Sequence, residues 1–160
     1  MATYIFKETQ RFNQPWVWAI LLVATGIIFY GLLSQPMEDW EMVIPVMILG
    51  LVILLLVSMK LKTRIDEVVL AFSFFPLIIR RTYKLTEIEK LELIAYNSIF
   101  KFGGWGIRYN FDMWAYNVRG KHGVVVTLKN KKFLLGTQKP EEMQKAIDQF
   151  NQIKSGNHGR

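Results

Sequence analysis

The chain contains no cysteine. That excludes disulfides, thiolate metal sites and a cysteine nucleophile, and leaves the compartment open. Only two of its 160 residues are histidine, His122 and His158. Neither has a partner at a metal-ligand spacing such as H-x-x-x-H, so no metal site is expected. The five serines, Ser34, Ser58, Ser73, Ser98 and Ser155, lack a nucleophile-elbow setting. Glu87, Glu89 and Glu92 lie close together, but on a strand 87 and 89 face one side and 92 the other, with no apolar pocket implied. These gaps predict a protein that is not an enzyme and holds no cofactor. An enzyme acting on a membrane substrate would need a polar pocket with a strongly shifted acid or base, and no such pattern is visible.

Acidic residues are also scarce. There are 13 against 20 lysines and arginines, a net charge of +7, and the isoelectric point is about 9.7. Such a balance points to an anionic neighbour: lipid head groups, nucleic acid or an acidic partner. The surplus is concentrated from Lys60 onward, where 18 basic residues face 9 acidic ones.

Two long runs lack charge altogether. PWVWAILLVATGIIFYGLL (Pro15 to Leu33) and MVIPVMILGLVILLLVSM (Met42 to Met59) are each of membrane-spanning length, about 28 Å for 19 helical residues. Trp16, Trp18 and Tyr30 lie near the ends of the first run and Trp40 just before the second, as in interfacial aromatic belts. The intervening SQPMEDWE (Ser34 to Glu41) is a tight turn, so the runs predict an antiparallel hairpin with helices at about 15–33 and 37–60. Pro36 suits the first turn of the second helix, Glu38 and Asp39 its positive end, and Pro45 a kink. Lys7 and Arg11 precede the hairpin, Lys60, Lys62 and Arg64 follow it, and the turn has no basic residue. The positive-inside rule then places a multi-pass protein in the cell (inner or plasma) membrane, with both termini cytoplasmic. Ala19 and Gly26 share a face that could allow close packing on a neighbouring helix.

From Leu61 the pattern breaks into short alternating pieces: LKTRI, VVLAFSF, LIIRRTYKL, KLELIAY, WGIRYN, WAYNVRG, GVVVTL and KKFLLG. They predict about seven antiparallel strands in a sandwich or barrel. Lys129-Asn130-Lys131 reads as a hairpin turn with asparagine at a positive φ. KPEEMQKAIDQFNQI then switches to a helical period, with Pro140 at its start and Met143, Ala146, Ile147 and Phe150 on one stripe. The expected fold class is α+β, organised as an N-terminal segment and transmembrane hairpin (1–60), a cytoplasmic β-rich domain (61–154) capped by the helix, and a flexible tail (155–160).

The succession GGWGIR, WAYNVRG, GVVVTL and LLGTQKPEEMQKAI resembles the small PH-like domains of uncharacterised prokaryotic membrane proteins, in which a two-helix hairpin precedes the domain. The resemblance covers roughly Leu61 to Phe150 plus the hairpin, and implies a PH-like fold more than an activity. Phosphoinositide-type binding in eukaryotic PH domains uses basic residues of the first hairpin loop. Here that region is RIDEVVL with Asp66 and Glu67 at the turn, so that site is not carried over.

GGWGIRYN (Gly103 to Asn110) is neither a dinucleotide loop nor a Walker loop, because G-x-G-x-x-G is incomplete and Gly-Lys-Ser/Thr is absent. Its glycines permit positive φ or close approach, and Trp105 either fills the core or forms part of a partner surface. Trp114 has the same two readings. Basic residues are the stronger lead. Arg80, Arg81 and Lys84 lie along one strand, and Arg108 and Arg119 near loops, with Lys101, Lys121, Lys129, Lys131 and Lys132 nearby in sequence. The candidate partner- or lipid-contact residues are therefore Arg80, Arg81, Lys84, Trp105, Arg108, Trp114 and Arg119. The expected function is an integral membrane protein whose cytoplasmic domain is a non-catalytic binding or scaffold module. Expected partners are the lipid bilayer, its anionic head groups, and a protein or a second copy, with no nucleic acid. The alternative is an accessory subunit of a transporter or envelope-assembly complex acting through its hairpin.

Overall fold

The computed structural model describes residues 4–34 and 39–157. It divides the chain into two units, one formed by Met1–Arg11 with Met59–Arg160 and the other by Phe12–Ser58. The strands are β1 (Tyr4–Arg11), β2 (Lys60–Asp66), β3 (Val69–Phe75), β4 (Ile78–Lys84), β5 (Ile88–Ala95), β6 (Gly106–Tyr109), β7 (Trp114–Asn117), β8 (His122–Leu128) and β9 (Lys131–Thr137). The helices are α1 (Pro15–Ser34), α2 (Asp39–Ser58), α3 (Ser98–Phe102) and α4 (Pro140–Asn157), with a 3-10 turn at Leu85–Glu87.

The larger unit is built on two sheets, ordered β1-β2-β3-β4 and β5-β8-β9-β7-β6. The first is antiparallel throughout. In β2, Leu61, Thr63 and Ile65 turn inward while Lys62 faces solvent, the alternation of a half-buried strand. Leu70, Phe72 and Phe74 do the same in β3. In the second sheet both faces of the central strands are covered. Val124 and Val126 lie opposite Leu135 and Phe133, on the side where Phe133 and Tyr116 meet Phe72 of the first sheet, ring centroids 5.4 and 4.8 Å apart. Val125 and Leu134 face the other way, into a second cluster with Tyr96, Phe102, Met113 and Ala115. Along α4, Met143, Ala146, Ile147 and Phe150 are all at most 3% exposed, spaced i, i+3, i+4, i+7. Complete burial of side chains of this size is worth about 1.5–3 kcal/mol apiece for the larger ones.

β1 connects the sheets. It pairs with β2 in the first sheet, with Arg11 opposite Lys60. Its inward side chains Glu8 and Gln10 reach the end of β9 in the second. Thr137 Oγ1 donates to Glu8 at 2.7 Å and the Gln138 amide donates to the other carboxylate oxygen at 2.9 Å. Gln10 Nε2 donates to the Gly136 carbonyl at 2.7 Å.

The smaller unit is the helical pair. The Gln14 carbonyl accepts from the amides of Val17 and Trp18 at the start of α1, and Pro45 lies inside α2. Both helices expose apolar side chains, among them Ile20, Leu22, Ile27 and Phe29 on α1 and Val43, Met47, Leu51 and Leu54 on α2.

Several expectations are corrected here. Among the described residues no helix is long and apolar enough to cross a membrane. The transmembrane hairpin and the multi-pass placement in the cell membrane with both termini cytoplasmic therefore do not stand. Nor does the PH-like sandwich of about seven antiparallel strands: the sheets have four and five strands, and β7 runs parallel to β9. The parallel pair has a simple cause. The chain leaves β7, passes the slot later filled by β9 and returns as β8, so β9, antiparallel to β8, runs with β7. The Lys129–Asn130 turn joins β8 to β9, but Phe111, not Asn130, is the non-glycine residue with positive φ among those described. Pro36 and Glu38 of the hairpin turn, and His158 of the tail, lie outside the described residues.

Because Arg11 faces Lys60, the helical unit is an insertion in the chain between two paired strands. Replacing residues 12–58 with a turn of about four residues is expected to leave the two-sheet unit folded. Cooperative thermal unfolding with a β-rich far-ultraviolet spectrum would support this; a molten spectrum would contradict it.

Candidate functional site

The glycine-rich corner is set by α3. Asn97 caps it, its Oδ1 accepting from the amides of Ile99 (3.0 Å) and Phe100 (3.4 Å). Gly103 closes it in the left-handed region at φ 70°, its N–H bonded to the Ile99 carbonyl and that of Gly104 to the Ser98 carbonyl. This pairing is a common C-terminal helix stop. Gly104 and Gly106 also have positive φ, 127° and 105°, which a β-carbon would oppose. Trp105 between them is half-buried.

Asn117, fully buried, locks the corner to the sheet. Its Oδ1 accepts from the Gly106 amide at 3.0 Å, and its Nδ2 donates to the Tyr96 hydroxyl at 3.0 Å and to Ser98 Oγ at 3.3 Å. Burial raises the Tyr96 phenol above its usual pKa, with Asn117 and Ser98 partly offsetting it. The core site is crowded as well: a β-carbon on Gly136 would lie 2.9 Å from that of Asn117.

Beyond the corner, β6 is an outer strand of its sheet. Among the described residues it pairs with β7 alone, Tyr109 opposite Trp114 and Arg108 opposite Ala115. The connecting turn is held by Asn110, whose Oδ1 accepts from the amides of Asp112 and Met113. It forces Phe111 to φ 65° with its side chain 95% exposed. Tyr109 donates its hydroxyl proton to the Phe111 carbonyl at 3.3 Å. The Tyr109 ring lies 5.1 Å from that of Trp114 and 6.1 Å from that of Phe111. Trp114, Tyr109 and Phe111 thus form a run of exposed rings at the open edge, with Lys132 paired to Asp112 beside it.

The residues singled out in the sequence fall in separate places. Trp105, Arg108 and Trp114 belong to this edge, where Arg108 Nε donates to the Trp105 carbonyl at 3.1 Å. Arg80, Arg81 and Lys84 lie on β4, an outer strand of the other sheet. Arg81 Nη1 donates to the Tyr116 hydroxyl at 3.2 Å, and so helps join the sheets. Burial pushes the Tyr116 phenol up and the Arg81 charge pulls it down, with a net rise. Lys84 lies at the far end of β4, beside α4. Arg119 is exposed in the β7–β8 loop. Sequence reading did not pick out Tyr109 and Phe111. The signal was present in Asn110, an Asx-turn residue that leaves the following aromatic outside both strands. Among the described residues no group of three potential ligands could hold a metal. The first hairpin turn is organised by Asp66, whose Oδ1 accepts from the amides of Val68 (3.0 Å) and Val69 (2.8 Å).

The chain matches no protein-family model, no curated protein and no solved structure.

Two outcomes are expected. Asn117→Ala leaves the Gly106 amide and Tyr96 hydroxyl without their partner, at a cost of about 1–3 kcal/mol per stranded group, read as a lower denaturant midpoint. The Asp66 carboxyl is pushed up by burial, but the Val69 and Val68 amides and Arg64 outweigh this and hold it below its usual value. Its stabilising contribution is therefore present above the unfolded carboxylate pKa, about 3.9, and is lost as pH falls through the lower folded value. Asp66→Asn should be less stable than the parent at neutral pH, with the gap closing in acid; a gap independent of pH would contradict the assignment.

Proposed function

We propose that the two-sheet unit is a non-catalytic binding module that takes an extended, acidic segment of a protein partner along the open edge of β6. Phe111 carries the reading. A non-glycine residue with positive φ is uncommon and costs backbone energy, and this one holds an aromatic ring almost wholly in solvent. An exposed aromatic row beside an unpaired strand edge suits strand addition, in which main-chain bonds give affinity and side-chain docking gives specificity. Arg108 on β6 and the basic surplus of this unit favour an acidic partner.

A second reading places the contact in the helical unit, supported by the apolar side chains exposed on α1 and α2. In that case the chain acts as an accessory subunit through its hairpin. Exchanging both helices for unrelated apolar ones would abolish function under this reading and preserve it under the first.

A photo-crosslinking residue placed at Phe111, with one at the exposed Lys145 of α4 as control, tests the edge in the source cells. The module reading expects protein adducts at 111, suppressed by Arg108→Glu, and none at 145. Equal labelling at both positions, or none at 111, would overturn it.

A further inference from the structure

A cavity of about 420 Å³ lies on another part of the two-sheet unit, between the β2–β3 turn, the end of β4 and the last turns of α4. Its volume is within the range of small-molecule sites, about 300–1,000 Å³. Leu85 and Phe150 are buried beneath it, at 7% and 2% exposure, and Val68 and Ile153 stand exposed at its walls. The polar lining comprises Thr86, Glu67 and two lysines, Lys84 and Lys154.

The lysines differ. Lys154 is held in place, its Nζ donating to the Ile88 carbonyl at 3.3 Å and to the Glu89 carbonyl, and it lies 5.9 Å from the centre of the Phe150 ring. Two carbonyls fix the ammonium without neutralising it, and one of its three protons is left to donate. Lys84 also lines the cavity and is exposed. Two cations against the single Glu67 carboxylate leave the rim positive over an apolar floor.

We infer that this cavity binds a small amphipathic carboxylate, with its apolar body on Leu85, Phe150, Val68 and Ile153 and its carboxylate between Lys84 and Lys154. The body contributes burial and the head group is chosen by charge. A neutral ligand of the same shape forfeits the head-group contact, and a cation meets like charge. The site is separate from the β6 edge and stands whether or not that edge binds a protein.

Titration of the full chain with octanoate, octanol and octylammonium, followed by backbone amide NMR, tests this. Octanoate is expected to saturate below about 1 mM, with shifts centred on residues 67–68, 84–86 and 150–154. Octanol should bind more weakly and octylammonium weakest. Lys84→Glu, at an exposed position, should weaken octanoate about tenfold, a loss typical of a charge-assisted hydrogen bond, while leaving octanol unchanged. Ile153→Trp, which narrows the cavity from its exposed wall, should weaken both octanoate and octanol. Equal binding of octanoate and octanol, shifts elsewhere in the unit, or no saturation by octanoate would overturn the inference.

Discussion

The carboxylate of Glu8 is almost fully buried, and the two-sheet unit depends on how its charge is satisfied. A buried carboxylate without partners is costly; this one accepts from the Thr137 hydroxyl and the Gln138 amide. Thr137 Oγ1 in turn accepts from the Lys139 amide at 3.1 Å, just before α4 begins. The Lys139 ammonium, raised in pKa first by its bond to Glu142, also feels the Glu8 charge. One side chain of β1 thus fixes the end of β9, the entry to α4 and the approach of the two sheets. Gln10 repeats the device one step along the strand by donating to the Gly136 carbonyl. Once these bonds set the spacing, the rings of Phe72, Tyr116, Tyr83 and Phe133 can pack between the sheets and Arg81 can reach Tyr116.

The same feature explains which parts of the fold could be read from the sequence. The segments later forming β2 to β9 carry apolar alternation or an aromatic run, and α4 carries a clean stripe ending in Phe150. β1 carries no such signal, because two of its inward positions hold Glu8 and Gln10 rather than apolar residues. A strand whose buried face is polar is recognised only once its partners are known, and Thr137 and Gly136 lie more than 120 residues away. The hairpin illustrates the opposite limit. Composition alone marked residues 15–33 and 42–59 as apolar, yet among the described residues no helix is long and apolar enough to cross a membrane. The parallel pairing of β7 with β9 depends on the order in which strands fill the sheet, which local patterns do not encode.

The candidate sites were legible to differing degrees. The glycines of GGWGIRYN stand where a turn requires them, and Gly103, Gly104 and Gly106 all adopt positive φ. Trp114 was marked from sequence as an aromatic with two readings, and it is half exposed beside Tyr109. Phe111 is less legible: Asn110 signals a turn, but only the folded chain shows the ring left almost wholly in solvent. The basic residues, grouped by their number, prove to have separate tasks: Arg81 bonds Tyr116, Arg108 folds over the loop before β6, and Lys84 flanks an apolar cavity. Counting charges could not separate them, since each role depends on what lies opposite in another sheet or helix.

The most direct test of this account is the coupling between β1 and β9. In a double-mutant cycle with Glu8→Gln and Thr137→Val, measured by denaturant unfolding, the two substitutions should be non-additive by about 1 kcal/mol or more, as expected for directly bonded partners. Additivity to within about 0.3 kcal/mol would show that the two side chains act independently, and would remove the clamp on which the arrangement of the sheets is argued to rest.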